Sequence, residues 1–426
     1  MRSGKSRTGI VVRASLFLLL LISATSPSLS QQLSSSSRDD QETIKQLLKR
    51  VEELESRVRE LESKRSATAS PSEPRSDEAP AAADTSSTPS TQTGHDSSMS
   101  HGGSPSLQLR GFSDISYHAT NAKGETNSFA LGQLDLFMTS RISDSFSVLG
   151  ELVLEANERN EFGFEIERLL LQYSKNDYFN VAVGRYHTAI GYYNTAYHHG
   201  TWFQTTTGRP FLFAFEDEGG ILPIHNVGVS MNGRIPSGKL GLGYVAEIGN
   251  GRAARSRLDE PVQNVVDENN GKSFNLGLIA RPDWLQGLQA GFSYYNDNLT
   301  PNGMPNIHEK IFAAHVVYQN NALELLNEGM LVSHTLRGLG QTINTAAFYT
   351  QASRKFGKAR PYFRYQYVNV PDSDPVIGDA GRQNGPSVGL RFDLSEFVAF
   401  KAQYDRTLRR RLDPVNGVTV QMAFTF

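Results

Sequence analysis

Towards the C-terminus, apolar and polar side chains alternate one for one. In GVTVQMAFTF, Val418, Val420, Met422, Phe424 and Phe426 share one phase, while Thr419, Gln421, Ala423 and Thr425 share the other. FVAFKAQYD sets Val398, Phe400, Ala402 and Tyr404 against Lys401, Gln403 and Asp405, and SVGLRFDL adds Arg391 and Asp393 to the polar set. A period of two puts the two sets on opposite faces of a strand. One face for lipid and one for water is the pattern of a membrane-spanning strand. Residues 107–426 read this way throughout, as strands of about 8 to 13 residues with no convincing helix. Short links at 143–145, 175–177, 236–238 and 320–322 alternate with longer loops, as periplasmic turns and external loops do in an outer-membrane barrel. The expected fold class is all-β, a transmembrane antiparallel β-barrel. At about 20 residues per strand and connection it has about sixteen strands, and an even count returns both ends to the periplasm. A soluble all-β domain also alternates, but it does not combine regular hairpins with a leader and with abundant Tyr and Phe near strand ends.

The part before residue 107 divides into three. MRSGKSRTGIVVR is basic and carries no acid, and the apolar run 14–22 follows it. This predicts a secretory signal peptide over 1–30, with Ser28 and Ser30 before the cleavage point; the run is short for an uncleaved anchor. In 41–65, Ile44, Val51 and Val58 alternate with Leu47, Leu54 and Leu61 at a spacing of seven, the a and d positions of a periplasmic coiled coil. Branched residues at a with Leu at d suit two strands, whereas RVEELE and RVRELE resemble the pattern of short trimeric coils, which favours three. An amphipathic helix lying on another surface is the alternative. Residues 66–106 are rich in Ser, Thr, Ala, Pro and Gly and predict a disordered linker. His95, Met99 and His101 within it offer metal ligands without a fixed geometry.

Composition narrows the function classes. With 20% charged residues in 426 and a mean hydropathy of −0.39, the chain is no polytopic helical membrane protein, since no uncharged apolar run suited to a span follows the leader. There is no cysteine, so disulfides, thiol nucleophiles and cysteine metal sites are excluded. A formal charge of −2, from 42 basic and 44 acidic residues, removes the bulk electrostatic case for a nucleic-acid partner.

A terminal Phe426 after apolar residues at every second position, Phe424 among them, resembles the signal by which the barrel-assembly machinery recognises its clients. More narrowly, VAVGRYHTAIGYYNT, residues 181–195, is similar to the Gly-Arg-aromatic segment leading into the constriction loop of the phosphate-selective porin O/P group and its dicarboxylate-porin relatives, some of which carry an N-terminal periplasmic coiled coil. The resemblance implies a homotrimer in the outer membrane, among its lipid and lipopolysaccharide, with a third external loop folded into the lumen. The coil and linker are also expected to reach the cell wall if the chain serves as a tether. The phosphate-selective members line their pores with a ladder of Arg and Lys. Here the inward positions are mixed: Asp114, Asp135, Glu151, Glu155, Glu247 and Asp393 accompany Arg110, Arg234, Arg360, Arg364, Arg391 and Lys401, which puts phosphate specificity in doubt.

The longest loop, roughly 191–223, carries Phe203, Phe211, Phe213 and Phe215, which suit an inner wall better than water. Its acids Glu216, Asp217 and Glu218 are then expected beside the aqueous path, facing Arg360, Arg364, Arg391 and Lys401 about half a circumference away. Such a pair of walls sets up a transverse field that selects by charge. The alternative for the basic residues is ordinary pairing with lumen acids such as Asp393, Asp405 or Glu151. His187, His198 and His199 flank the loop, but adjacent residues of an extended segment point apart, so no metal is expected. No catalytic motif and no cofactor site is recognisable. The expected function is passive diffusion of small hydrophilic solutes; an envelope tether and, behind it, an outer-membrane enzyme are the alternatives.

Overall fold

In a computed structural model the chain divides into two units, 1–85 and 86–426. The structure describes Lys49, Ser56 and residues 106–426 other than 157–159, 198–199, 216–218, 254–261 and 264. The signal peptide, the linker up to residue 105 and the coiled-coil positions Ile44, Leu47, Val51, Leu54, Val58 and Leu61 lie outside the described residues. Lys49 and Ser56 are helical and exposed.

Sixteen strands form one closed antiparallel barrel. In chain order they are β1 (Ser106–Thr120), β2 (Ser128–Arg141), β3 (Phe146–Ala156), β4 (Phe162–Asn176), β5 (Phe179–His187), β6 (His225–Arg234), β7 (Leu242–Gly249), β10 (Ser273–Ala280), β11 (Leu288–Leu299), β12 (Ile307–Gln319), β13 (Leu323–Leu336), β14 (Gln341–Arg354), β15 (Ala359–Asn369), β16 (Arg382–Asp393), β17 (Val398–Arg409) and β18 (Val415–Thr425). Between β7 and β10, β8 (Arg252–Ala253) and β9 (Val262–Gln263) make a separate ribbon. β1 begins one residue inside the expected linker. Each strand pairs with its neighbour in sequence, and β1 pairs with β18 from Phe112↔Thr425 to Thr120↔Gly417. Gly111 and Phe426 exchange both backbone hydrogen bonds, at 2.8 and 3.0 Å. Closure leaves no strand of the barrel with an unpaired edge.

Turns at 142–145, 177–178, 235–241, 281–287, 320–322, 355–358 and 394–397 share one rim with the two ends of the barrel. The other rim carries longer loops, the third of them 188–224. Alternation sets the two faces as the pattern predicts: in β17, Ala399, Lys401 and Gln403 are buried while Tyr404 is exposed. Exposed Leu107, Leu109, Leu276, Leu278 and Leu390 give the outside an apolar surface that suits hydrocarbon. No helix among the described residues is long and apolar enough to cross a membrane; the strands do so.

Two features depart from simple alternation. The β3–β4 register slips after Glu151↔Arg168, so that Leu152 faces Ile166 and Glu167 becomes an extra residue. This bulge switches the phase in the middle of FEIERLLLQYS. The inner face of β11–β15 also carries an apolar cluster among its polar residues. Tyr295, Ile307, Ile311, Val317, Leu326, Val332, Tyr349 and Val368 form one buried core with Ile190, Leu212, Phe213 and Leu222 of the third loop and with Val376 and Ile377 of loop 370–381. Each such Leu, Ile or Phe contributes about 1.5–3 kcal/mol when fully buried. The barrel therefore holds a hydrophobic core inside, and that core fastens both loops.

Candidate functional site

The third loop leaves the barrel through the segment that carries the Gly-Arg-aromatic pattern. Gly184 has φ +134°, and a Cβ there would lie 1.9 Å from the Leu169 carbonyl oxygen, so only glycine fits. Thr188 N–H donates to the Ile224 carbonyl at 2.9 Å, closing the loop at its stem. The Asn194 amide donates to the carbonyls of Thr188 and Ile224 at 2.9 and 3.0 Å. One helical turn, Tyr193–Ala196, follows. Its start is held by Glu328 of β13, whose carboxylate accepts from the N–H groups of Tyr192 and Tyr193 at 2.5 and 2.9 Å and from the Tyr349 hydroxyl at 2.6 Å. Gly191 makes room for this contact: a Cβ would meet Glu328 Oε2 at 2.6 Å. Burial pushes the Tyr193 phenol up to about 12. It therefore stays neutral, stacked on Phe213 with ring centroids 5.4 Å apart.

From there the loop crosses the interior to the wall opposite its stem. Lys401, 0% exposed, donates from Nζ to the carbonyls of Thr201 and Thr206. Arg364, 1% exposed, donates from Nη1 to Thr206 Oγ1 at 3.2 Å and to the Gly208 carbonyl at 2.9 Å. Arg391 donates from Nη1 to the carbonyls of Trp202 and Gln204 at 2.6 and 3.0 Å, and from Nε to Asp393 at 2.7 Å; its guanidinium lies 4.9 Å from the centre of the Trp202 ring. Arg360 faces Ser353 Oγ at 3.2 Å and takes no part in these contacts. Carboxylates complete the seat: Thr201 Oγ1 donates to Asp114 at 3.2 Å, Thr205 Oγ1 to Glu324 at 3.0 Å and Ala189 N–H to Glu247 at 3.0 Å. Charge patterning placed the bases across an open gap from the loop. In the structure, loop residues 201–208 lie directly on three of them, because backbone carbonyls and a hydroxyl satisfy buried cations that have few carboxylates nearby.

The wall of β3–β6 carries a second polar group. Arg168 pairs with Glu151, and Arg185 with Glu165 at 2.8 Å. His225 bonds Glu167, and His187 Nε2 lies 3.6 Å from Glu151. Glu216, Asp217, Glu218, His198 and His199 lie outside the described residues. Among the described residues no three His, Asp or Glu side chains are arranged to hold a metal ion. Glu324 and Glu328 were missed as loop anchors, although the sequence carries a signal for them: each is an acid in the inward phase of LELLNEGMLV, where the neighbours in that phase are apolar.

No family model matches this chain, and no curated protein matches it. Solved structures do. The anion-selective porin from Comamonas acidovorans superposes with a TM-score of 0.53 at 13% identity, covering 76% of this chain and all of its own. The outer membrane channel DcaP of Acinetobacter baumannii gives 0.53 at 10% identity, over 76% of this chain and 98% of its own. OmpF of Salmonella typhi, solved with daunomycin, gives 0.51 at 13%, over 75% and 97%. The chain has the porin fold. At these identities the likeness speaks for architecture, and the porin fold here includes a closed ring of sixteen strands with its third loop turned inward onto the far wall.

Proposed function

We propose that the chain is a passive outer-membrane porin, admitting small hydrophilic solutes through a lumen that the third loop narrows. The observation that carries this is the anchoring of 188–224 on the inner faces of β13 and β15–β17, inside a barrel whose outside is apolar. Likeness in fold to an anion-selective porin and to an outer membrane channel supports it. The leader sends the chain across the inner membrane, and the N-terminal segment stays in the periplasm. The barrel sits among outer-membrane lipid and lipopolysaccharide, delivered by the assembly machinery through Phe424 and Phe426. Three copies associate, joined by the coil of 41–65, which also reaches towards the cell wall. The chain is no enzyme and needs no cofactor. To the acids Glu216, Asp217 and Glu218 we assign the role of attracting cations to the aqueous path. Arg364, Arg391 and Lys401 act on solutes mainly by holding the loop in place, with Arg360 left to line the wall.

The test is single-channel recording of the refolded mature chain in a planar bilayer under a salt gradient. Openings in groups of three are expected, and the sign of the reversal potential reports which charge dominates. A folded barrel that never conducts would sink this reading and move the tether forward.

A second expectation concerns the anchors. In the double variant Lys401→Met, Arg364→Met, the buried acceptors at Thr201, Thr206 and Gly208 are stranded, at about 1–3 kcal/mol each, partly offset because two buried charges are removed. The loop should loosen, giving larger and noisier single-channel currents. Currents identical to those of the unaltered chain would show that the apolar core alone seats the loop.

A further inference from the structure

At the loop rim, away from the third loop's seat, four charged side chains meet in a site closed to solvent. His334 of β13 and Glu309 of β12 are 0% exposed, Arg252 at the start of loop ribbon β8 is 1% and Asp374 of loop 370–381 is 3%. His334 Nδ1 lies 2.8 and 2.9 Å from the two carboxylate oxygens of Asp374, and its Nε2 lies 2.9 Å from Glu309 Oε1. Arg252 Nη2 donates to the same Glu309 oxygen. Asp374 Oδ1 also accepts from the N–H groups of Val376 and Ile377 at 2.9 and 3.0 Å. Asp297 of β11 accepts from the Arg252 N–H at 3.2 Å and from the Tyr295 hydroxyl at 3.0 Å. Loop 370–381 is thus tied to the barrel wall through one imidazole, while Arg252 of the neighbouring loop rests directly on the wall carboxylates Glu309 and Asp297.

With a carboxylate at each ring nitrogen, no neutral tautomer of His334 can donate to both. Only the imidazolium satisfies the site. Burial alone would raise the Asp374 carboxyl, yet the hydrogen bonds from His334, the positive imidazole and the two backbone N–H groups outweigh it and hold the carboxyl below its ordinary value. It therefore remains the anion that the cation needs.

We propose that His334 is the cationic pin of a latch fastening loop 370–381 to the barrel wall, and that the latch opens when the imidazolium loses its proton. The sign follows from which form is bonded. The stabilisation is present while His334 is charged and is lost as the pH rises, because a bare ring nitrogen then faces a carboxylate. Release frees Val376 and Ile377 from the core they share with Phe213 of the third loop, so the mouth and the loop within it respond together. The latch is a property of the fold and stands whether or not the barrel conducts.

The chain has no cysteine, so a nitroxide on Ser373→Cys reports loop 370–381 in the full chain, and one on Lys123→Cys serves as a distant control. The Ser373 label should be immobile from mildly acidic to neutral buffer and should become mobile on the alkaline side, while the control stays constant. In His334→Gln the label should be mobile at neutral pH and insensitive to pH. Asp374→Asn leaves a single carboxylate, which a neutral imidazole can satisfy, and should flatten the alkaline step while keeping the loop docked. A flat profile in the unaltered chain overturns the proposal, as does an unchanged alkaline step in Asp374→Asn, which would assign the titration to Tyr295 or another neighbour. Should His334→Gln fail to fold, the other two profiles still decide.

Discussion

A chain carrying Gly184→Ala is expected to fail to close its barrel. The backbone at Gly184 sits at φ +134°, a conformation that costs an L-residue about 1–3 kcal/mol. The larger difficulty is steric: the new methyl would meet the Leu169 carbonyl oxygen at 1.9 Å, and backbone cannot rotate aside as a side chain can. That carbonyl lies in β4, where Leu170 pairs with Gly184 and Leu169 with Arg185. Relieving the clash means parting β4 from β5 at the stem of the third loop. The total should exceed the roughly 4–5 kcal/mol that marks an exceptional single substitution. Heat-modifiable migration in SDS gels measures it directly, with most of the refolded chain running as unfolded. Gly277→Ala is the comparison, since its Cβ would find the nearest atom at 3.7 Å and should fold normally. Equal folding yields for the two variants would mean that β4 and β5 can part without cost.

The second large effect is expected from Glu328→Ala. Its carboxylate accepts from two loop N–H groups and one tyrosine hydroxyl in a buried place. Truncation leaves all three donors without that acceptor, at about 1–3 kcal/mol apiece before relaxation. The barrel itself keeps every strand pair, so the loss should fall on the loop. Protease added to the intact barrel should cut within 188–224 in the variant and spare the unaltered chain, while SDS resistance stays the same. Glu328→Gln, which keeps one acceptor oxygen, should fall between them. A variant loop as resistant as the original would show that packing of Tyr193, Leu212 and Phe213 is enough.

The barrel was legible because its code is local. Phase along GVTVQMAFTF and FVAFKAQYD follows from a period of two, and the number of strands follows from the spacing of short turns. What the sequence hid was non-local. IHEKIFAAHVVYQ in β12 has apolar residues on both faces, Ile311 and Val317 inward and Phe312 and Val316 outward. This blurs the alternation, and only the loops packed within the barrel explain it. Arg364, Arg391 and Lys401 were recognisable as inward cations from phase alone. Their partners were not, because the carbonyls of 201–208 come from more than 150 residues earlier in the chain. The bulge at Glu167 shifts phase by one extra residue in β4, which no count of alternating positions reveals.

The seam between β1 and β18 has a consequence for biogenesis. The ring is fastened between its first strand and its last, with Gly111 bonded to Phe426. Bringing such distant ends together is the most entropically demanding contact the fold makes, so closure should come last. It also acts as a check on the ring: a nascent chain that stops short of β18 cannot close it, and the open ring offers two sticky borders to other chains where the closed barrel offers none.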